Sequence, residues 1–160
     1  MQTRPDAAAD WDGVPVFGHP PADARATVRP SAYALLADDA GRLAVVRTPQ
    51  GIFLLGGGME PGEAPPDTVV REAREEAGLV VRVGAWNVRA VDFVYSITDR
   101  THFEKRSTFV EVHAEGPRAG AGEPDHELRW LPPREAAERL SHPSHRWAAE
   151  RWHAGRRSGP

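Results

Sequence analysis

The sequence predicts an α/β (α+β) fold in which a mixed central sheet is sandwiched between helices. Three observations predict it. Short β-branched and aromatic runs recur from residue 31 to residue 114, separated by Gly, Pro and Asp turns. A helix-like acidic segment, Asp67–Ala77, interrupts them midway. Two further helix-like segments that follow prolines close the chain. At 160 residues, with 40% hydrophobic and 27% charged residues, the chain fits one domain with a sizeable core. That domain is expected over residues 29–153, with residues 154–160 as a disordered tail.

Residues 1–28 are rich in Ala, Pro, Asp and Gly and read as an N-terminal arm. Trp11 and Val14-Pro15-Val16-Phe17 are its anchors, docking on the core or on a second subunit, so that a homodimer through the arm is one expectation. Ser31–Ala37 and Leu43–Arg47 read as a hairpin turned at Asp38-Asp39-Ala40-Gly41. Gly51–Leu55 is a third strand running into three glycines, Gly56-Gly57-Gly58. The helix Asp67–Ala77 begins beside Pro65 and Pro66 and stops at Gly78, a C-terminal cap. Its entrance has Ala64 where a Ser or Thr cap would add ~1 kcal/mol. Val80–Val83 and Asn87–Ile97 read as two strands, polar Asp99–Arg106 as a turn, and Ser107–Ala114 as a returning strand with Phe109 facing away from Val110 and Val112. Gly116–Gly122 is a loop, Leu128–Leu131 a short strand, and Arg134–Leu140 and His145–Trp152 are helices. Trp130, Trp147 and Trp152 read as core or interface anchors.

Composition removes several classes of function. The net charge of -3 gives no basic field for duplex nucleic acid, so an anionic ligand would need local cations or a metal. Without cysteine there are no disulfides, thiolate chemistry or Cys-ligated zinc, which suits a cytoplasmic protein. No apolar run is long enough for a membrane span, and MQTRPDAAAD lacks the apolar centre of a signal peptide.

The chemistry concentrates in one segment. On the predicted helix, Glu72, Glu75 and Glu76 stand at i, i+3 and i+4, so their carboxylates share a face. Such crowding of like charge destabilises a bare helix and calls for a hard cation, which prefers oxygen ligands. Arg71 and Arg74 could neutralise the same face as ordinary ion-pair partners, and taken alone that is the commoner meaning of R-E-x-x-E-E. The glycine run just upstream changes the balance, because it lets backbone groups approach a metal or phosphates without hindrance from Cβ atoms. Glu63 adds a fourth carboxylate at the helix entrance.

In this register the segment resembles the Nudix box, G-x5-E-x7-R-E-U-x-E-E-x-G-U with U a bulky aliphatic. Gly57, Glu63, Arg71, Glu72, Glu75, Glu76, Gly78 and Leu79 all match. The resemblance covers roughly residues 29–150 and implies a Nudix-type α/β/α sandwich. It also implies a MutT-like hydrolase of pyrophosphate bonds dependent on Mg2+, with Mn2+ as a substitute. By resemblance Glu72, Glu75, Glu76 and the Gly56 carbonyl hold the metal. Glu63 orients the metal shell or the helix, and Arg71, Gly57 and Gly58 support the site. Glu75 or Glu76 contacts the attacking water, and a later carboxylate can also serve as base: Glu127 first, then Glu123 and Asp125. Two positions depart from the family pattern: Leu55 replaces a frequent proline before the glycines, and Ala73 replaces a larger aliphatic.

The box does not specify the leaving group. Nucleoside triphosphates of the 8-oxo-dGTP type lead the expected substrates, ahead of dinucleoside polyphosphates such as diadenosine tetraphosphate and then ADP-ribose. A nucleotide-sensing module without catalysis is the non-enzymatic alternative. Tyr95, 16 residues after Leu79, resembles the mark of dinucleoside polyphosphate hydrolases, although it also reads as a half-buried strand aromatic. Tyr33 and Phe53 are candidates for a base-stacking pocket and equally good core residues. Arg89, Arg100, Lys105 and Arg106 are candidates for the outer phosphates. His142, His145 and His153 read as helix-surface residues rather than a zinc site.

Overall fold

The computed structural model describes residues 11–157. Seven strands and three helices follow in the order β1 (Val16–Phe17), β2 (Thr27–Leu35), β3 (Leu43–Thr48), β4 (Gly51–Gly58), α1 (Pro65–Ala77), β5 (Val81–Ser96), β6 (Thr101–Ala114), β7 (Glu127–Leu131), α2 (Pro133–Arg139) and α3 (Pro143–Arg157). The strands form one sheet in the order β1-β5-β6-β2-β4-β3-β7. β1–β5 and β2–β6 are parallel and the other pairs antiparallel, so the sheet is mixed as expected.

Alternation along the central strands builds a core on each face. Ala32, Ala34, Leu55, Val110 and Val112 point to the face covered by Val69, Ala73 and Ala77 of α1. Tyr33, Leu35, Leu54 and Phe109 point to the opposite face, under Ala148, Ala149 and Trp152 of α3. Phe109 and Val110 thus part to opposite faces, and the small Ala73 is fully buried where α1 meets the sheet. With both faces covered, Ala32–Leu36 is a continuous buried run rather than an alternating one.

The cap residues behave as their chemistry dictates. Gly78 takes φ 63° and donates its N–H to Arg74 O, while Leu79 N–H reaches Ala73 O, closing the last turn of α1. At the other end Ala64 offers no side chain, but Asp67 accepts the Ala64 N–H at 2.9 Å and supplies half of a capping box.

Five expectations change. Ser31–Ala37 and Leu43–Arg47 do not pair as a hairpin: β4 lies between β2 and β3 in the sheet, because it pairs with both, and only the bridge Ala37–Leu43 joins them at the turn. Val80–Val83 and Asn87–Ile97 are parts of one long strand, β5, whose pairing with β6 shifts register between Val83 and Asn87. Of the expected turn Asp99–Arg106 only Asp99 and Arg100 are turn: β6 begins at Thr101, and residues 103–106 pair with Thr27–Pro30 on one side and with 91–94 on the other. Ladder bonds to two neighbours hold a polar segment that has no apolar pattern of its own. The N-terminal boundary also moves, because β2 starts at Thr27 inside the expected arm. At the other end α3 continues to Arg157, so residues 154–157 are helical rather than tail, and residues 158–160 lie outside the described residues.

The arm docks on its own chain. Val16 and Phe17 pair with Val91 and Asp92, Phe17 packs against Trp147 with ring centroids 6.3 Å apart, and Trp11 lies against the Arg89 guanidinium. Its first ten residues lie outside the described part.

Packing between β2 and β4 leaves no room at Gly56. The residue has φ 147°, and a Cβ there would collide with Ala32 O and come within 2.6 Å of Tyr33 Cα. Gly56→Ala is therefore expected to cost ~2–4 kcal/mol of stability, read as a lower urea midpoint at unchanged m-value.

Candidate active site

The site is built where the glycine end of β4 meets α1. Gly56 N–H donates to Glu76 Oε1 at 2.8 Å, pinning the helix carboxylate to the strand. Gly57 lies under Glu72, whose Oε1 would be 2.9 Å from any Cβ at that position. The three box glutamates occupy one side of α1 with graded exposure: Glu76 is buried, Glu72 half-buried and Glu75 exposed. Gly56, expected to contribute its carbonyl, is held here through its N–H.

Arg71 is the organising cation. Its Nε and Nη2 grip both oxygens of Glu63 (2.8 and 2.9 Å), Nη1 donates to Glu72 Oε1 and Glu75 Oε2 (3.0 Å each), and Nη2 also donates to Gly58 O (3.2 Å). Glu63 accepts Glu60 N–H and the Thr68 hydroxyl as well, and its carboxyl is pushed down to about 2, chiefly by Arg71. A carboxylate held by this many donors is a poor proton acceptor and is suited to orienting its neighbours.

The loop before β7 folds back on the C-terminal turn of α1. Arg118 Nε donates to Ala77 O (2.6 Å), Ala119 N–H to Gly78 O (2.7 Å) and Glu123 N–H to Glu75 O (3.1 Å). His126 then lies 3.5 Å from Glu76 Oε2 and 3.1 Å from Glu123 Oε2. The later carboxylate brought to the box is thus Glu123. Glu127, ranked first from sequence, already belongs to β7 and pairs with Arg129 at 3.1 Å. Asp125 is exposed and bonds His126 at 2.9 Å.

Burial pushes the Glu76 carboxyl up to about 8, with the Gly56 N–H opposing and the negative charges of Glu72, Glu123 and Glu75 reinforcing. Burial likewise raises Glu72, against the pull of Arg71. Arg71 is spent on Glu63, Glu72 and Glu75, which leaves Glu76 without a full countercharge. An all-oxygen donor set with excess negative charge fits a hard divalent cation. The residues placed to hold one are Glu72, Glu75 and Glu76, with Glu123 beside them.

On the other face of the sheet a cleft of about 560 Å³ reaches the same glycines. Tyr33, Phe53, Tyr95, His142, Lys105 and Arg29 are among its lining residues. Tyr33, Phe53 and Tyr95 are therefore brought to one cleft. Arg89 is not. Ala90 and Asp92 face α3, so Arg89 points to the opposite side and lines a separate pocket beneath Trp11.

The histidines also depart from expectation. His145 is fully buried, with its ring 4.2 Å from Tyr33 and 5.5 Å from Phe109, and its Nδ1 accepts Leu54 N–H at 3.2 Å. His142 packs on Phe53 (5.0 Å) and His145 (5.1 Å), and burial, aided by Lys105, pushes it down to about 4. Both are neutral parts of an aromatic wall. Their i, i+3 spacing was visible in the sequence, but no local signal told that His142, just before α3, and His145, on it, would face the sheet.

A carboxylate-bearing helix is thus docked on one face of a glycine strand, with an aromatic cleft and its cations on the other. The chain matches the NUDIX domain over residues 27–152 and belongs to that family, as a pyrophosphohydrolase. Similar solved structures include a Nudix hydrolase from M. smegmatis, RenU (25% identity, covering 86% of this chain and 91% of that one, TM-score 0.62). The E. coli ORF135 protein (22%, 84% and 95%, TM-score 0.61) and a C. elegans Ap4A hydrolase (14%, 82% and 99%, TM-score 0.65) share the fold. No curated protein gives a significant sequence match.

The raised Glu76 carboxyl couples stability to pH and would couple cation binding to it as well. Its folded-state value near 8 exceeds the model-compound value of 4.5, so the metal-free folded protein keeps a proton that the unfolded chain releases. Stability of the metal-free protein should therefore fall as pH rises from about 4.5 to about 8, while stabilisation by Mg2+ grows over the same range. Thermal melts with and without Mg2+ measure both trends, and Glu76→Gln should flatten them.

Proposed function

We propose that this enzyme hydrolyses a nucleoside triphosphate of the MutT type, 8-oxo-dGTP included, in the cytoplasm, with Mg2+ as cofactor and Mn2+ as a substitute. The observation that carries the reading is the meeting of two features at Gly57 and Gly58: a carboxylate cluster on one side of β4 and an aromatic cleft on the other. The cleft is of a size for one nucleoside, with Tyr33, Phe53 and His142 as its ring-bearing wall.

A Mg2+ ion held by Glu72, Glu75 and Glu76 would supply positive charge to the anhydride oxygens and make water more acidic. The protein's own part is positional. Arg71 fixes Glu72 and Glu75 through a single nitrogen, and Gly56 N–H fixes Glu76. Glu75 Oε2 is taken by Arg71, so its Oε1 is the oxygen suited to accept a proton from the attacking water. Glu123, on the loop that packs against Glu75, is the second candidate base.

One observation favours a second reading. Tyr95 is 53% exposed at the rim of the cleft, beside His102 at 4.7 Å, and an exposed ring there could stack a second base. That supports dinucleoside polyphosphates ahead of ADP-ribose.

Product analysis decides among these. Nucleoside triphosphates, dinucleoside polyphosphates and ADP-ribose would be incubated with Mg2+ or Mn2+ and their products separated. A nucleoside monophosphate plus pyrophosphate from a triphosphate is the expected result. Glu76→Gln should lower turnover by ~100-fold or more, since it removes a charge from the cation site while keeping an acceptor for Gly56 N–H. Unchanged turnover in that variant would overturn the assignment. Tyr95→Ala should weaken dinucleoside polyphosphates selectively, read as a higher KM.

A further inference from the structure

We infer that Arg29 is the positioning residue for the substrate's phosphate chain, holding the phosphate that lies between the base cleft and the box carboxylates. The inference rests on the nucleotide reading above and adds a residue to which neither the box nor the sequence pattern pointed.

Four observations carry it. The first is place. A Cβ at Gly58 would lie 3.3 Å from Arg29 Nε and 3.4 Å from Nη2, and a Cβ at neighbouring Gly57 would lie 2.9 Å from Glu72 Oε1. Adjacent strand residues point to opposite faces, so the two glycines have the guanidinium on the cleft side and the carboxylate on the α1 side. They also form the C-terminal end of β4, round which a phosphate chain can pass from one face to the other.

The second is availability. Two guanidiniums touch Gly58. Arg71 reaches its carbonyl and is committed to Glu63, Glu72 and Glu75. Arg29 is exposed, and among the described residues it has no carboxylate within ion-pairing distance. Its one ring contact is Phe103, 5.2 Å away, which steadies the plane of the fork without using its N–H donors.

The third is chemistry. A planar fork of N–H donors suits a phosphate oxygen pair, and the cation lies across β4 from a cluster with excess negative charge. Arg29 is thus attractive to an anionic chain that the carboxylates alone would repel. The fourth is the alternative cation. Lys105 also lines the cleft, but its Nζ donates to the Tyr33 hydroxyl at 2.7 Å and lies 5.1 Å above the Tyr33 ring, so it is tied to the base wall.

The test compares nucleoside with nucleoside monophosphate, without metal or turnover. Titration calorimetry would measure guanosine, GMP, adenosine and AMP on the wild type and on Arg29→Gln. The wild type should bind each monophosphate more tightly than its nucleoside. Arg29→Gln should lose ~10-fold or more of that preference, leave nucleoside affinity unchanged and melt at the wild-type temperature. Arg29→Lys should recover part of the preference. A wild type that prefers the monophosphate while Arg29→Gln keeps the same ratio overturns the Arg29 assignment alone. A wild type that binds neither nucleosides nor nucleotides overturns the proposed function and this assignment together.

Discussion

The hydrogen bond from Gly56 N–H to the buried Glu76 carboxylate joins β4 to α1, and the rest of the site depends on it. The bond forms because the strand carries no side chain where it crosses Tyr33, and because α1 packs close enough to put Glu76 7% exposed against it. A small Ala73, fully buried on the neighbouring position of the helix, is consistent with that close approach. What departs from the family pattern at position 73 thus has a packing consequence rather than a chemical one.

Charge is distributed around this bond with a division of labour. Arg71 binds four acidic neighbours or carbonyls and so acts as scaffold, holding Glu63, Glu72 and Glu75 in fixed directions. Glu63 is the part of the box furthest from proton chemistry, because four donors hold its two oxygens and Arg71 stabilises its charge. The carboxyl with the least compensation is the most buried one, Glu76. Desolvation disfavours its ionised form, and a cation held beside it would offset that cost in competition with the proton.

The fold was legible where pattern and chemistry are local. The turn after β2, the helix ending at Gly78 and the split of Phe109 from Val110 follow from turn residues and periodicity, whereas the insertion of β4 between β2 and β3 does not. The β5–β6 ribbon was not, because Thr101–Arg106 has no apolar alternation and is held in strand form by two flanking strands. Likewise α3 continues past Trp152 through polar residues whose helicity is set by propagation from a buried stem.

By itself the sequence determined the carboxylate set: Glu72, Glu75 and Glu76 must share a helix face at that spacing, with Gly57 and Glu63 in register before them. Only the tertiary structure decided which distant groups meet that face. Glu123 reaches the box and Glu127 does not, because the loop before β7 caps the helix before the strand begins. Arg29 lies on the cleft side of β4 and Arg89 on the α1 side, in a pocket shared with Glu63, because strand alternation and sheet order assign them to opposite faces. His145 is core and not surface, because α3 lays that side of itself on Tyr33 and Phe109. Spacing along one helix is a local property that the chain carries with it, whereas contacts between elements depend on how faces are covered, and that is settled only when the sheet and helices pack.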